Sequence, residues 1–276
     1  MREFDQHELG LEGFRPRNHR LRRGIYLLPS ILTVLNLLCG YYAVLAALHG
    51  GADNFDYAAR AIGFAFLFDS LDGRIARLTG TNTEFGKQFD SLADVISFGI
   101  APAVLAYAWG VRGLMNGDDV YAAQVAQLGW FVGLAFVICC AWRLARFNVH
   151  GMAPGGSRYF VGLPTPAAAV VIAAVVHAYA WKVALIKDWR WSMAWMGLAA
   201  VLAALMTSTV RYYSFKDVAW TRRQPSLAIV LVALLVGAIF FYSKAVLLVL
   251  AASYAAAGIV FHIVRVVRHR LVSRTA

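Results

Sequence analysis

The chain has 276 residues, of which 60% are hydrophobic, and its mean hydropathy is +0.60. Soluble domains are closer to half apolar. Here the apolar residues form long blocks that leave no room for a large soluble domain. We therefore predict an all-α integral membrane protein. The net charge of +11 is compatible with nucleic-acid binding, but its distribution along the chain favours membrane topology and no nucleic-acid partner.

Eight apolar segments are each close to the ~20 residues that a bilayer core of ~30 Å requires. They run approximately over residues 28–49, 57–78, 86–110, 128–148, 164–184, 191–212, 226–242 and 245–265. The last two form one run of 39 residues, which as a single helix would be about 58 Å long. We expect this run to fold back near residues 242–244. Three parts follow: a basic arm (1–27), a membrane core (28–220), and a C-terminal helical hairpin with a basic tail (221–276).

The positive charges are distributed unequally between the two sides of the predicted membrane. If the N-terminus is cytoplasmic, 20 of the 26 Lys and Arg residues fall on the cytoplasmic side. Because positively charged connections stay in the cytoplasm, we expect both termini and the connection between the second and third spans to be cytoplasmic. The first apolar segment is long enough to remain in the membrane, so we expect no cleaved signal peptide.

Four aspartates lie in the second and third spans, where carboxylates are costly and usually functional. Asp69 and Asp72 are three residues apart, and Asp90 and Asp94 are four apart, so each pair shares a helix face. The short connection near residues 79–85 makes the two helices antiparallel neighbours, so the four carboxylates can converge. Four anions repel one another, and all-oxygen ligands select Mg²⁺ or Mn²⁺. The sequence thus predicts two divalent ions, an arrangement used in phosphoryl chemistry.

Small residues flank these aspartates and would let a bulky ligand approach the helix backbones. They are Gly73, Ala76 and Gly86. The alternative is ordinary close packing of membrane helices. Arg77 lies toward the connection and has a planar fork suited to a phosphate, with a topological charge as its alternative role. Asp72 is about 10 Å along the helix from the connection, near the depth of lipid phosphates.

The segment from Asp69 to Asp94 reads D-x-x-D-G-x-x-A-R, eight further residues, then G-x-x-x-D-x-x-x-D. At every specified position it resembles the signature of the CDP-alcohol phosphotransferases. The resemblance implies a six-helix membrane core, often dimeric, that binds two metal ions and a CDP-linked lipid. The last two predicted spans would be an addition to that core. It also implies that Asp69, Asp72 and Asp90 are chiefly metal ligands, and that Asp94 is both ligand and general base.

The same resemblance implies contacts with the nucleotide or its phosphates. We assign CDP-lipid binding to Gly73, Ala76, Arg77, Thr83, Gly86, and, in the first span, Thr33 and Asn36. Further segments resemble the bacterial members that use serine. They are residues 68–73, 89–99, 143–148, 162–166 and 209–216. With them, the resemblance extends over most of residues 28–220 and implies CDP-diacylglycerol and L-serine as substrates.

A pocket for L-serine needs a cation for the carboxylate. Arg143 and Arg146 are three residues apart at the cytoplasmic end of the fourth span, and Arg211 ends the sixth span on the same side. We predict that one or more of them binds the carboxylate through a bidentate pair, with a topological role as the alternative. His177 has no acidic residue at helical spacing. We interpret it as a polar residue facing the bundle, not as a metal ligand.

The predicted reaction transfers a phosphatidyl group from CDP-diacylglycerol to L-serine, giving phosphatidylserine and CMP at the cytoplasmic face of a bacterial inner membrane. One alternative keeps this chemistry with glycerol 3-phosphate or an inositol phosphate as acceptor. Membrane prenyltransferases also use aspartates, but with other spacings and without the G-x-x-A-R continuation. An intramembrane cation transporter would place its acids near the middle of the bilayer, whereas these lie toward one face.

Overall fold

The computed structural model describes residues 19–79, 83–115, 120–150, 159–213, 238, 242–258 and 260. Most of them are helical. The helices are α1 (His19–His49), α2 (Ala52–Thr79), α3 (Glu84–Asp94), α4 (Ala101–Gly110), α5 (Val120–His150), α6 (Thr165–Tyr179), α7 (Trp189–Thr207) and α8 (Tyr242–Gly258). A π-helical segment, Val95–Ile100, joins α3 to α4, and a 3-10 turn, Arg112–Leu114, follows α4. Two short strands, β1 (Tyr159–Val161) and β2 (Arg211–Tyr213), pair antiparallel.

Within this described part, four helical segments are long and apolar enough to cross a bilayer. They are Ile31–His49, Glu84–Leu114, Tyr121–Val149 and Trp189–Thr207. Helices α6 and α8 are apolar but shorter. A helical, apolar architecture of this kind agrees with the predicted fold class. The count of eight spans stays a prediction, because most of residues 226–242 and 259–265 lie outside the described residues.

Two helices end earlier than the hydropathy pattern predicts. The hydropathy pattern predicts a fifth span to residue 184 and a sixth to residue 212, but α6 ends at Tyr179 and α7 at Thr207. The prediction that Arg211 ends a helix is therefore wrong, since Arg211 begins β2. The hydroxyl of Ser208 donates to the carbonyl of Leu205 at 2.8 Å. Such local side-chain bonds compete with helix continuation.

A tight turn joins α1 to α2 and sets the two helices side by side. Gly50 and Gly51 adopt positive φ angles of 75° and 90°, a region that L side chains rarely occupy. The guanidinium of Arg112 donates to the carbonyl of Leu48 at 2.8 Å, which satisfies one of the unpaired carbonyls at the end of α1. Part of the candidate functional site lies on this antiparallel α1–α2 pair.

The π-helical segment begins directly after Asp94. Its wide turn is visible in the backbone, because the N–H of Ala101 donates to the carbonyl of Ile96, five residues earlier. Pro102 follows within the first turn of α4. In a regular α-helix its ring would clash with the carbonyl four residues back, and a π-helical turn removes that clash. Such turns are frequent at functional sites.

Helix α1 crosses the π-helical segment at Gly40. A methyl group on Gly40 would lie 2.3 Å from the Oγ atom of Ser97 and 2.7 Å from its Cα atom, so only glycine permits this approach. Ser97 is fully buried, and its hydroxyl donates to the backbone carbonyl of Asn36 at 2.9 Å. The close crossing thereby sets the position of the polar residues of α1 relative to α3.

Replacing Gly40 by alanine should force α1 away from the π-helical segment. Overpacking of this kind costs about 1–3 kcal/mol, so we expect a lower Tm for the purified protein in detergent. Gly63→Ala adds the same methyl group to α2 at a position where nothing lies within 4 Å, and because alanine favours a helix interior over glycine it should not lower the Tm. Equal melting of the wild-type and Gly40→Ala proteins would show that this crossing is not tight.

Candidate active site

The carboxylates of Asp69, Asp90 and Asp94 meet between α2 and α3. One oxygen atom of each lies within 4.8 Å of the corresponding atoms of the other two. Asp94 is buried, and the other two are half-buried. Among the side chains that the structure describes, none of these carboxylates forms an ion pair with Lys or Arg. The structure thus brings together three of the four predicted aspartates.

Asp72, the fourth predicted ligand, has a partner in α1. It is buried, and its Oδ2 atom accepts a hydrogen bond from the hydroxyl of Thr33, which is buried as well. Asp72 also interacts electrostatically with Asp69 and Asp90. It therefore lies beside the three clustered carboxylates, with one of its oxygens bonded to α1.

Asn36, one helical turn beyond Thr33, holds Asp94. Its Nδ2 atom donates to the Oδ1 atom of Asp94 at 3.0 Å. Asn36 is fully buried, and its own Oδ1 atom has no hydrogen-bond partner among the described residues. Since Ser97 binds the backbone of the same residue, Asn36 is fixed at both its main chain and its side chain. It therefore fixes the orientation of the Asp94 carboxylate.

The donor set of this cluster fits a divalent cation. Like charges at such short separations repel strongly away from water, and buried charges require a counter-charge or a metal ion. The Oδ1 atom of Asp90 is buried without a hydrogen-bond partner in the described part of the chain. Carboxylate oxygens are the ligands that Mg²⁺ and Mn²⁺ prefer. Asp69, Asp90 and Asp94 are the residues that would hold such an ion.

Several predicted CDP-binding residues have structural roles of their own. The hydroxyl of Thr83 accepts a hydrogen bond from the N–H of Gly86 at 3.0 Å and caps the start of α3. A methyl group on Gly86 would lie 3.0 Å from that hydroxyl, so glycine suits this cap. Gly73 and Ala76 are half-buried on α2. The side chain of Arg77 lies outside the described residues, and nucleotide contact for all of them stays a prediction.

Helix α5 carries a buried guanidinium that interacts electrostatically with Asp94. It packs on the π-helical segment at Gly99, where an added methyl group would lie 3.1 Å from the Sγ atom of Cys140. Arg143, one turn further along α5, is 9% exposed and interacts electrostatically with Asp94. Its Nε atom is buried with no hydrogen-bond partner among the described residues. Because a buried donor without a hydrogen-bond partner is costly, the Nε–H group of Arg143 is suited to bind an anionic ligand.

The other two predicted serine-binding arginines lie near the strand pair. The Nη2 atom of Arg146 donates to the carbonyl of Val161 in β1 at 3.0 Å. Val161 is paired with Arg211 in β2, although the side chain of Arg211 is not among those described. The Nδ2 atom of Asn148 donates to the hydroxyl of Ser91 at 2.8 Å, which ties α5 to α3. The structure therefore gives Arg146 a role in holding β1.

Helical spacing in the sequence did not predict the polar network around His177. His177 is buried and has an acidic partner on another helix, because its Nδ1 atom bonds the carboxylate of Asp56 in α2. Its Nε2 atom lies 3.0 Å from the hydroxyl of Ser243 in α8, and Arg60 pairs with Asp56 at 2.6 Å. Asp56 precedes Asp72 by 16 residues, or about 24 Å along α2. This network therefore lies far from the aspartate cluster.

Comparison with known proteins identifies the family. The family described as CDP-alcohol phosphatidyltransferase matches residues 26–205. The chain is 32% identical over 195 residues to the CDP-diacylglycerol–serine O-phosphatidyltransferase of Helicobacter pylori, covering 70% of this chain and 74% of that protein.

The matches to two further relatives cover a smaller share of those proteins. The enzyme of the same name from Mycobacterium leprae is 35% identical over 185 residues, covering 66% of this chain and 55% of that protein. Archaetidylserine synthase of Methanothermobacter thermautotrophicus is 42% identical over 147 residues, covering 52% and 55%. The chain belongs to the CDP-alcohol phosphatidyltransferase family, which confirms the resemblance seen in its aspartate motif.

Removing one carboxylate from the cluster should weaken cation binding. We expect Asp90→Asn to lower the affinity for Mn²⁺ by at least about tenfold, since ligand-shell changes have effects of this size or larger. Asp53→Asn is the matched control, because Asp53 is exposed near the opposite end of α2. Isothermal titration of the metal-free proteins with Mn²⁺ measures both. Equal affinities for Asp90→Asn and Asp53→Asn would contradict a metal site at this cluster.

Proposed function

We propose that the protein transfers the phosphatidyl group of CDP-diacylglycerol to the hydroxyl of L-serine, giving phosphatidylserine and CMP. The observation that carries the proposal is that Arg143, a buried guanidinium in a CDP-alcohol phosphatidyltransferase, interacts electrostatically with Asp94 and has an unpaired Nε atom in the described part of the chain. Serine has the carboxylate that such a cation binds and the hydroxyl that the reaction needs. The names of the relatives support the same acceptor.

The four aspartates would bind two Mg²⁺ or Mn²⁺ ions. When bound, these ions neutralise the pyrophosphate and the charge that develops on the CMP leaving group. Gly73, Ala76 and Gly86 leave room for the nucleotide beside the helix backbones. Arg77 and Thr83 bind its phosphates, together with Thr33 and Asn36 at the α1 side. Asp72 lies seven residues before the end of α2, or about 10 Å along the helix axis.

Asp94 is the residue that removes the proton from serine. Its carboxylate is oriented by Asn36 at 3.0 Å and interacts electrostatically with Arg143, which binds the serine carboxylate with help from Arg146 or Arg211. As the proton moves to Asp94, the serine oxygen attacks the phosphorus that bears diacylglycerol. The bond from that phosphorus to the CMP oxygen breaks, and CMP leaves. Holding the two reactants together supplies much of the rate enhancement.

The same proposal places the protein in the bacterial inner membrane, with both termini and the site facing the cytoplasm. A six-helix core and two C-terminal helices would give eight spans, and two copies would form a homodimer. Support comes from the apolar helices of spanning length. It comes also from the 20 of 26 positive charges on one side of the predicted topology.

The acceptor is tested with purified protein, CDP-diacylglycerol and Mn²⁺, by measuring CMP release with L-serine, glycerol 3-phosphate or an inositol phosphate. We expect CMP release only when L-serine is the acceptor. This release should stop in EDTA and return when Mg²⁺ or Mn²⁺ is restored. Release with either phosphorylated acceptor but not with serine would contradict the proposed substrate. Full activity of a chelated, metal-free preparation would contradict the role of the aspartates.

Changing Arg143 should affect serine more than the lipid substrate. Hydrogen bonds to charged groups contribute about 1.5–3 kcal/mol, so Arg143→Gln should raise the serine KM by about 10- to 100-fold. The KM for CDP-diacylglycerol should change much less. Arg190→Gln is the control, since Arg190 is exposed and stacks on Trp189. A serine KM that is unchanged in Arg143→Gln would place the carboxylate elsewhere.

The proton acceptor is tested by Asp94→Asn, which keeps the shape of the side chain and removes its charge. We expect kcat to fall by about 10²–10⁴-fold, the usual contribution of a general base, while CDP-diacylglycerol still binds. CMP release and lipid binding are followed separately during a Mn²⁺ titration. If excess Mn²⁺ restores near wild-type turnover, Asp94 acts only as a ligand and another group takes the proton.

A further inference from the structure

Helix α8 lies outside residues 26–205, which match the family, and polar contacts tie its first turn to the core. The hydroxyl of Ser243 lies 3.0 Å from the Nε2 atom of His177, whose Nδ1 atom bonds the carboxylate of Asp56. Since Asp56 lies about 24 Å along α2 from Asp72, these contacts are at the end of the bundle opposite the aspartate cluster. They bring Lys244, the residue after Ser243, to the end of α6.

The connection between α6 and α7 has a fixed position at the same end of the bundle. The indole N–H of Trp109 in α4 donates to the carbonyl of Val183 at 2.9 Å, and the N–H of Ile186 donates to the carbonyl of Trp109 at 3.2 Å. The indole N–H of Trp181 donates to the carbonyl of Ala178 at 3.1 Å, while the side chain is 58% exposed. The connection therefore presents an indole ring on the surface.

Two lysines from different elements meet at this ring. The Nζ atom of Lys182, in the connection, lies 5.2 Å from the ring centroid of Trp181, and the Nζ atom of Lys244, in α8, lies 4.5 Å from it. Ammonium groups at such distances are attracted to the face of an indole. Among the side chains that the structure describes, neither lysine pairs with Asp or Glu. Because the two ammonium groups repel each other, an anion bound by both would be stabilising.

The surroundings of the two lysines favour a membrane lipid as the source of that anion. Tyr179 and Tyr242, which flank them in sequence, are exposed as well, and exposed Trp and Tyr side chains collect at membrane–water interfaces. Residues 180–190 contain three basic residues and one acidic residue, Asp188, whose side chain caps α7. A net positive charge at an interface attracts lipids with a net negative charge.

We propose that Lys182, Lys244 and Trp181 form a binding site for the headgroup phosphate of an anionic phospholipid. The lipid joins α8 to the α6–α7 connection, because each of these elements supplies one of the two ammonium groups. The site lies at the opposite end of the bundle from the aspartates, so this inference does not depend on the proposed reaction. A lipid that binds the folded protein in this way also stabilises it.

The test measures the Kd of dioleoylphosphatidylglycerol for the purified protein in neutral detergent by native mass spectrometry. Changing both Lys182→Gln and Lys244→Gln should raise the Kd by about tenfold or more, since each lysine at a lipid surface contributes about fivefold. Changing both Lys187→Gln and Arg190→Gln removes the same charge from exposed residues of the same connection. This control should keep the Kd within about twofold, because salt screens exposed charges. Changing both Lys182→Arg and Lys244→Arg should preserve binding, since guanidinium groups bind phosphate.

Dioleoylphosphatidylcholine has the same acyl chains and no net charge, so it should bind the wild type at least about tenfold more weakly. Equal Kd values for the two lipids, or equal losses in the two glutamine double variants, would overturn the proposed site. Inorganic phosphate should not displace the lipid, and displacement at similar concentrations would show a site for free phosphate instead. The Tm of each variant without lipid checks its fold. Lys182 is exposed, so Lys182→Gln alone, with an expected rise of about fivefold, decides the question if the double variant does not fold.

Discussion

The repulsion among Asp69, Asp90 and Asp94 is the constraint on which the rest of the site depends. Their oxygens lie within 4.8 Å of one another in partly or fully buried surroundings, where Coulomb forces are only weakly screened. Helix α1 supplies hydrogen bonds to the neighbouring Asp72 and to Asp94, and it reaches them because Gly40 permits a close crossing. Hydrogen bonds leave the negative charge in place, and a divalent cation would neutralise it.

The two ends of α2 show how this site differs from a structural ion network. Asp56, near one end, bonds to both Arg60 and His177, so its charge has partners within the protein. At the other end, no described Lys or Arg pairs with the clustered carboxylates, and Arg143 is buried without a partner at Nε. A cluster of carboxylates and a buried guanidinium with an unpaired Nε–H group would both be stabilised by binding, the first of a metal ion and the second of an anionic ligand.

Residue spacing was enough to predict that α2 and α3 are neighbours and that three of the clustered carboxylates lie close together. This is because neighbours along a helix follow from its period. The bonds of Asp72 to Thr33 and of His177 to Asp56 join separate helices, and helical spacing carries no information about them. Hydropathy also extended the sixth span to residue 212, because a sliding average does not detect that α7 ends at Thr207 and a strand begins at Arg211.

The carboxylates from α2 and α3 are proposed to share bound divalent cations. Crystals of the protein grown with Mn²⁺ and CDP-diacylglycerol test this directly through anomalous diffraction at the manganese edge. We expect anomalous peaks bounded by Asp69, Asp90 and Asp94, within direct coordination distance of their carboxylate oxygens. Peaks at another place, or their absence from this cluster at saturating Mn²⁺, would contradict it.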